Sequence, residues 1–440
     1  VKEFLKNGHH VCLLSERHVG KSGVGVEFFN QMAAFPKGAV SLSLDTQLPI
    51  VPAAFIKNGN KYQLHFGKPF IVPYFDNQAQ SIQHGLKVLS KSLENLISSI
   101  LISGILSNPY GLVNINLLFL TPYNLLNYGG VQHQINLMND YISKTSNIES
   151  KIAGPNSKDY DLGRVLNIPF NNSVASISLF PDRKKLLKAI EWSDVVHIHE
   201  PFIPLIFWKL PKNKKYIFTH HANLNKLYTF FMSIIYKIIK IKGVSVYVSE
   251  SALSNAKTLS NQPILIPNMI EINKNIEFND KKKFLFVGRN EKRKNFNYFN
   301  LLSKEKSFQD YEFEAITNEN IENFDGVIYL KPNNDEKNFI FKNSSIYLAL
   351  NTKNESFGIT LIEAINSGNI VISSDLAAFK DVLEESGIYY ERNSYKSLVN
   401  LLTNTLKSDL HFIWEKQYEC IQKYDIEKNM EHYVLLYSNN

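Results

Sequence analysis

The chain has 440 residues, 44% of them hydrophobic and 20% charged, a composition normal for a globular protein and a length too great for one ordinary domain, so two or three are expected. Its net charge of +7 suits an acidic partner such as a nucleotide diphosphate or an anionic membrane, and it does not mark a nucleic-acid binder. Cys12 and Cys420, far apart and alone, exclude a disulfide framework and a cysteine-based zinc site, and both read as buried thiols in a reducing compartment.

The first residue is Val, and no signal-like run precedes the first apolar stretch, which points to a start further upstream. Residues 8–75 read as short strands, HHVCLLS, LPIVPAAFIKNG and KYQLHFGKPF, with a hairpin turn at Asn58-Gly59 between the last two. Ser15 to Ser22, SERHVGKS, falls one glycine short of a phosphate-cradling loop, and the GVGVEFF that follows is a poor helix start, so an ordinary surface loop is expected. A helix over roughly 78–107 follows, then the breaker cluster Asn108-Pro109-Tyr110-Gly111. Leu86–Leu106 and Leu227–Ile241 are the most apolar stretches. Lys87, Lys91 and Glu94 interrupt the first, and Lys237 and Lys240 the second, so both read as amphipathic helices and no transmembrane span is expected.

After the breaker comes an apolar strand, NINLLFL, then Gly129-Gly130 and a helix from Val131 to Ile142. Apolar strands recur at 194–198, 215–219, 243–248 and 262–266. A polar linker leads to a second alternating series, FLFVG, YEFEAIT, GVIYLK, SIYLAL and NIVISSD. Such alternation predicts an α/β fold of two Rossmann-like, doubly wound units facing a cleft, where ligands bind outside the strands' carboxyl ends. The expected domains are 1–111, a partial α/β domain; 112–272; 273–424; and a C-terminal helix over 425–440.

The strongest chemical signal is ESFGITLIEA, Glu355 to Ala364. Two carboxylates eight residues apart bracket a Phe-Gly turn that opens a helix. Free N–H groups at such a turn suit a diphosphate, Glu355 just before it can reach a sugar, and Glu363 lies about two helical turns further on. The two glutamates by themselves favour an N-capped amphipathic helix with two solvated acids; SFG within the run and AINSGNIVISSD after it turn the reading to the ligand site. His197 and His199 share one strand face, as a metal pair would, but no third soft ligand is positioned by sequence, so no metal site is expected. Arg183, Lys184, Lys185 and Lys188 form a basic amphipathic helix, a solvated face or a contact for anionic headgroups.

These motifs resemble the retaining GT-B glycosyltransferases. Within them, Tyr123 with GGVQ at 129–132, IPFNNSVA at 168–175, HIHEP at 197–201, THH at 219–221, IPN at 266–268, GRNEKRK at 288–294, SSDLAAF at 373–379 and KYD at 423–425 look like the phosphatidylinositol mannosyltransferases. The resemblance implies GDP-mannose as donor substrate, a phosphoinositide lipid as acceptor and no tightly bound cofactor; a divalent cation, where one takes part, accompanies the nucleotide. It further implies a cytoplasmic protein, peripheral on the inner face of the plasma membrane, whose C-terminal helix returns to the first GT-B domain. Carried over by position, His221 meets the mannosyl unit, Arg289 and Lys294 neutralise the leaving diphosphate, and Glu355 contacts mannose hydroxyls. Glu363 takes the donor ribose, and Gly130, Phe357, Gly358 and Ile359 supply close backbone approach, Gly130 because only glycine permits it. Tyr123, Asn171, Arg183, Lys184 and Lys185 are the acceptor candidates. Leu126 stands where the family has an acid, Met269 and Asn295 where it has glycine, and NENIENF replaces a glycine-rich turn. These departures bear on base contacts and efficiency, and they keep open a degenerate GT-B scaffold that binds without turnover.

Residues 8–72 resemble the phosphatidylinositol mannoside and lipid A acyltransferases through VCLLSERHVGKSGVGVEFFNQMAAFPKGAVSLSLDTQLPIVPA, with Arg17 and Glu27 as candidates for that site. The family's His-x4-Asp dyad occurs nowhere in this chain. A longer gene product that both acylates and transfers is therefore the other enzymatic expectation.

Overall fold

The computed structural model describes residues 1–13, 23–28, 31–58, 61–75, 77–107, 115–127, 129–145, 148–170, 173–178, 180–202, 210–222, 224, 226–239 and 241–438. SERHVGKS with Arg17, the breaker cluster 108–111 and Asn171 lie outside them. The chain divides into two compact units, Val1–Leu112 and Val113–Asn440.

The first unit holds helix α1 (Lys2–Lys6), hairpin β1 (Gly23–Phe28) and β2 (Gln31–Pro36), helix α2 (Gly38–Thr46), hairpin β3 (Ala53–Asn58) and β4 (Lys61–Phe66), and helix α3 (Gln78–Ser107). Leu86, Leu89 and Leu93 recur at helical spacing on α3 and bury against Val26, Phe35, Val40, Leu44 and Val72. HHVCLLS does not form a strand as far as Leu13: among the described residues no strand pairs with it, and the structured start is instead the short α1. Cys12 is exposed and Cys420 half-buried, which corrects the expectation of two buried thiols.

In the second unit, β5 (Asn116–Leu120), β6 (Glu149–Gly154), β7 (Tyr160–Asp161), β10 (Val195–His199), β11 (Lys215–His220), β12 (Gly243–Tyr247) and β13 (Ile264–Leu265) form a parallel sheet. Its order is β13-β12-β11-β10-β5-β6-β7. Hairpin β8 (Leu166–Phe170) and β9 (Ser173–Ile177) stands apart from it. Helix α4 (Gly130–Thr145) follows β5, α5 (Arg183–Trp192) precedes β10, and α6 (Lys226–Ile239) and α7 (Glu250–Ala256) flank β12. The second parallel sheet is β16-β15-β14-β17-β18-β19: β14 (Lys283–Val287), β15 (Glu312–Thr317), β16 (Val327–Leu330), β17 (Ile346–Ala349), β18 (Ile370–Ser374) and β19 (Ile388–Tyr390). Helices α8 (Phe296–Leu302), α9 (Asn334–Lys342), α10 (Ile359–Ile365), α11 (Ala377–Leu383), α12 (Tyr395–Thr405) and α13 (Leu410–Ile421) connect or cover it.

Both sheets have their first strand inside and reverse direction beside it, between β5 and β10 and between β14 and β17. The crevice at each reversal is where a doubly wound sheet binds ligand. Residues of β10, β17 and β18 are buried on both faces, hence the apolar IYLA of β17 and the IVI that opens β18. Helix α14 (Ile426–Ser438) packs Met430, Tyr433 and Tyr437 beside Phe119, Val195 and Ile217 of the first sheet. Leu186 and Ile190 of α5 and Met232 of α6 pack on its opposite face, beside Val196, Ile198 and Phe218.

Candidate active site

At the carboxyl end of the second sheet, the loop after β17 carries Asn351 and Glu355, and the loop after β14 carries Arg289, Arg293 and Lys294. Glu355 Oε2 accepts from Lys294 Nζ at 2.9 Å and from Asn351 Nδ2 at 2.5 Å, and lies 3.6 Å from Arg293 Nη1. Burial pushes the Glu355 carboxyl up, but Lys294 beside it, with Arg293 and Asn351, holds it net below the usual range, so it remains a carboxylate. It is therefore a hydrogen-bond acceptor and no proton donor. Arg293, half-buried between Glu291 and Glu355, is the arginine that reaches this glutamate; Arg289 is 49% exposed and approaches Glu291 at 3.4 Å. GRNEKRK contained both, and only the loop's turn separates them.

Asn295 closes that loop at φ +56°, in the left-handed region where the family resemblance expects glycine; asparagine enters it at lower cost than other side chains. Gly358 has φ +86°, and a Cβ there would meet Phe379 at 2.7 Å, so the backbone requires this glycine. Phe357 is buried edge-on to Tyr424 and serves the core through its ring. Helix α10 begins at Ile359, and on it Glu363 pairs with Lys337 of α9 at 2.7 Å, with His133 of α4 4.0 Å away. Nothing in NNDEKNF marked Lys337 beforehand except its place four residues after the capping Asn333.

The first sheet faces this group through its own carboxyl end. A Cβ on Gly130, which opens α4, would lie 3.9 Å from Ile359 Cγ2, an ordinary contact. Among the described residues the protein's own packing thus leaves room at Gly130. Ser251 Oγ of α7 donates to Ser356 O at 2.9 Å, and His133 meets Glu363, so the two sheets are already apposed.

His221 follows β11 and is buried. Its Nε2 is 3.0 Å from His199 Nδ1, and Asn268 of IPN also hydrogen-bonds its side chain. Burial pushes His221 down to about 4, His220 to about 3, and His197 and His199 well below the ordinary range, so the group is neutral at pH 7. His197 meets Thr219 Oγ1 at 2.7 Å and Tyr437 OH at 2.8 Å, a core role that explains half of HIHEP. Among the described residues no three His, Cys, Asp or Glu side chains are grouped to hold a metal ion.

Tyr123, half-buried after β5, bridges Ile177 through its backbone. Arg183, Lys184 and Lys185 are exposed on α5, whose cap Asp182 accepts from the backbone N–H groups of Lys184 and Lys185. Leu126 is 77% exposed. Met269 is buried without disturbance: its backbone exchanges two hydrogen bonds with Gln134, 2.8 and 2.7 Å. No described helix is long and apolar enough to cross a membrane.

Residues 268–425 match the family "Glycosyl transferases group 1", and residues 1–99 match "Bacterial lipid A biosynthesis acyltransferase". The phosphatidyl-myo-inositol mannosyltransferase of Propionibacterium freudenreichii is 27% identical over 299 residues, 60% of this chain and 78% of that protein. That of Mycobacterium leprae is 26% identical over 350 residues, 69% of this chain and 91% of that protein. Among solved structures, a glycosyltransferase from Rickettsia africae superposes with a TM-score of 0.55 at 17% identity, covering 74% of this chain and all (100%) of that one. Anabaena HepE in complex with UDP gives 0.53 at 10% identity, covering 73% and 99%. Residues 268–425 thus match the group 1 glycosyltransferase family, within a GT-B pair of sheets, and residues 1–99 match the lipid A acyltransferase family.

Proposed function

We propose that the chain transfers mannose from GDP-mannose to the inositol of phosphatidylinositol, with retention at the anomeric carbon. The carrying observation is the cationic group around an ionised Glu355, with Lys294 at 2.9 Å, opposite the unobstructed backbone of Gly130. The names of the two bacterial mannosyltransferase relatives support the sugar and the lipid. Glu355 accepts hydrogen bonds from mannose hydroxyls, while Lys294 and Arg289 draw charge from the leaving diphosphate. Glu363 takes the ribose once Lys337 yields, Phe357, Gly358 and Ile359 offer backbone N–H groups, and His221 meets the sugar as a neutral imidazole.

In the transfer, the acceptor oxygen forms its bond to the anomeric carbon on the face from which the diphosphate leaves. The departing diphosphate oxygen takes the hydroxyl proton, so no protein carboxylate need become a covalent nucleophile. Tyr123 and Asn171 belong to the acceptor side. Exposed Arg183, Lys184, Lys185 and Lys188, with Phe180 beside them, draw the first sheet to an anionic, phosphoinositide-bearing surface. No bound cofactor is required, and a divalent cation would arrive with the nucleotide.

Purified protein incubated with labelled GDP-mannose and phosphatidylinositol vesicles should yield an α-mannosyl lipid, its configuration read by NMR. Absence of product with both phosphatidylinositol and mannosylated phosphatidylinositol would overturn the assignment. Met269 keeps its backbone hydrogen bonds to Gln134, and Asn295 holds the left-handed turn at lower cost than most side chains would, which argues against a degenerate scaffold.

A further inference from the structure

Beyond His221, the first sheet's crevice holds a carboxylate that the transfer chemistry does not use. Glu200, immediately after β10, has φ +62°, a left-handed conformation that costs a residue with a Cβ about 1–2 kcal/mol. Its side chain is fully buried, and no cation pairs with it among the described residues. Its Oε2 instead accepts from the backbone N–H groups of Ala222 at 2.9 Å and His221 at 3.3 Å, and its own N–H donates to Thr219 O at 2.8 Å. Its second oxygen, Oε1, is buried without a partner among the described residues.

A strained backbone and an orphaned carboxylate oxygen are a costly way to satisfy two N–H groups, since an Asn or Ser side chain, or a backbone carbonyl, would serve. Such costs persist where geometry is needed. The bonds tie the end of β10 to both sides of the turn that presents His221, beside the sheet's reversal between β5 and β10. We infer that Glu200 is a positioning residue, holding the His221–Ala222 turn in register with the acceptor side of the cleft.

The groups around it set how firmly it holds. Tyr123 after β5 and Tyr228 of α6 both feel its negative charge. Burial pushes the Glu200 carboxyl up to about 7, against the two N–H bonds that draw it down. Ionisation strengthens those N–H···O bonds, so the turn tightens as pH rises through neutrality.

The kinetic consequence rests on the proposed mannosyl transfer; the structural one does not. In amide NMR of the full chain between pH 5.5 and 8.5, the Ala222 and His221 resonances should titrate together near pH 7 in wild type and stay flat in Glu200→Gln. Glu200→Ala should lower kcat at least tenfold with the donor KM within about twofold, while Glu200→Gln, which keeps one acceptor oxygen, should stay within about threefold of wild type. Wild-type amides that do not titrate, or a folded Glu200→Ala with wild-type kcat, would overturn the inference. Should Glu200→Ala fail to fold, the wild-type and Glu200→Gln titrations still decide. Titrating amides in a wild-type protein that transfers no sugar would instead sink the transfer reading and leave the turn assignment standing.

Discussion

The two sheets of the second unit meet the cost of burying polar groups in opposite ways. The first removes charge: burial drives His220 and His221 to about 3 and 4 and raises Glu200 to about 7, so its crevice is close to neutral. The second keeps charge and pairs it, Glu355 with Lys294 and Glu363 with Lys337. A dianionic diphosphate needs fixed positive charge that survives desolvation, whereas a polyol acceptor needs oriented neutral groups. Under the proposed transfer, the division between the sheets follows from that difference. It also predicts that substitutions in one half are felt as lost charge compensation and in the other as lost geometry.

The largest expected effect is in the paired half. Glu355→Ala frees Lys294 and Arg293 from their carboxylate and removes the acceptor for sugar hydroxyls, so kcat/KM for mannosyl transfer should fall by about 10²–10³, as for the loss of one preorganised electrostatic partner. Measured thermal stability should change far less than activity. Next is Lys337→Ala, which leaves Glu363 mostly buried without its cation and should cost roughly 3 kcal/mol, toward the low end for one-sided loss of a buried pair. The double variant Lys337→Met/Glu363→Gln should recover most of that stability in chemical denaturation. If the single and double variants are equally destabilised, pairing is not what supports this half.

Acid and alkali should separate the halves. The Glu355 carboxyl is depressed in the folded state, so its contribution is present above about pH 4.5 and fades as pH falls through its folded value. The Glu200 carboxyl is raised, so its contribution is fully present below about pH 4.5 and is lost as pH rises through about 7. Between pH 5 and 8, Glu200→Gln should therefore gain stability relative to wild type, approaching about 3 kcal/mol for the shift from 4.5 to about 7. Parallel wild-type and variant curves across that range would contradict a buried, raised carboxyl.

Much of this architecture was visible in apolar runs. Strands such as IYLA and IVISS are buried on both faces of a parallel sheet and announce themselves without alternation. ESKIAG and the hairpin after Leu166 escaped notice because polar residues occupy exposed ends and edges there. The first unit misled more: its two-stranded hairpins leave Phe55, Leu64 and Phe66 exposed on one face, so apolar content did not mean core. At the site, motifs located the loops and not the partners. Which arginine of GRNEKRK meets Glu355 depends on a left-handed turn at Asn295, and Lys337 meets Glu363 only because α9 packs beside α10. Within HIHEP the sequence marks the two histidines, while the signal of Glu200, a backbone conformation, is absent from sequence.

The smallest stability effect and the sharpest test of the division lie in two glycines that face each other's sheets. Gly358, at φ +86° with Phe379 2.7 Å from any Cβ, is required by the fold, so Gly358→Ala should cost about 1–3 kcal/mol. Gly130 shows no such constraint: among the described residues a methyl there would meet only Ile359 Cγ2, at 3.9 Å. Gly130→Ala should therefore leave stability within about 0.5 kcal/mol of wild type. If the donor's phosphate and sugar pass close to this backbone, the same methyl should raise the donor KM about tenfold, the 1.4 kcal/mol that one unfavourable contact readily supplies. Calorimetric donor titration beside a melting curve measures both. A variant that binds donor normally would remove Gly130 from the donor path, and one that melts early would mean the two sheets close more tightly than this arrangement has them.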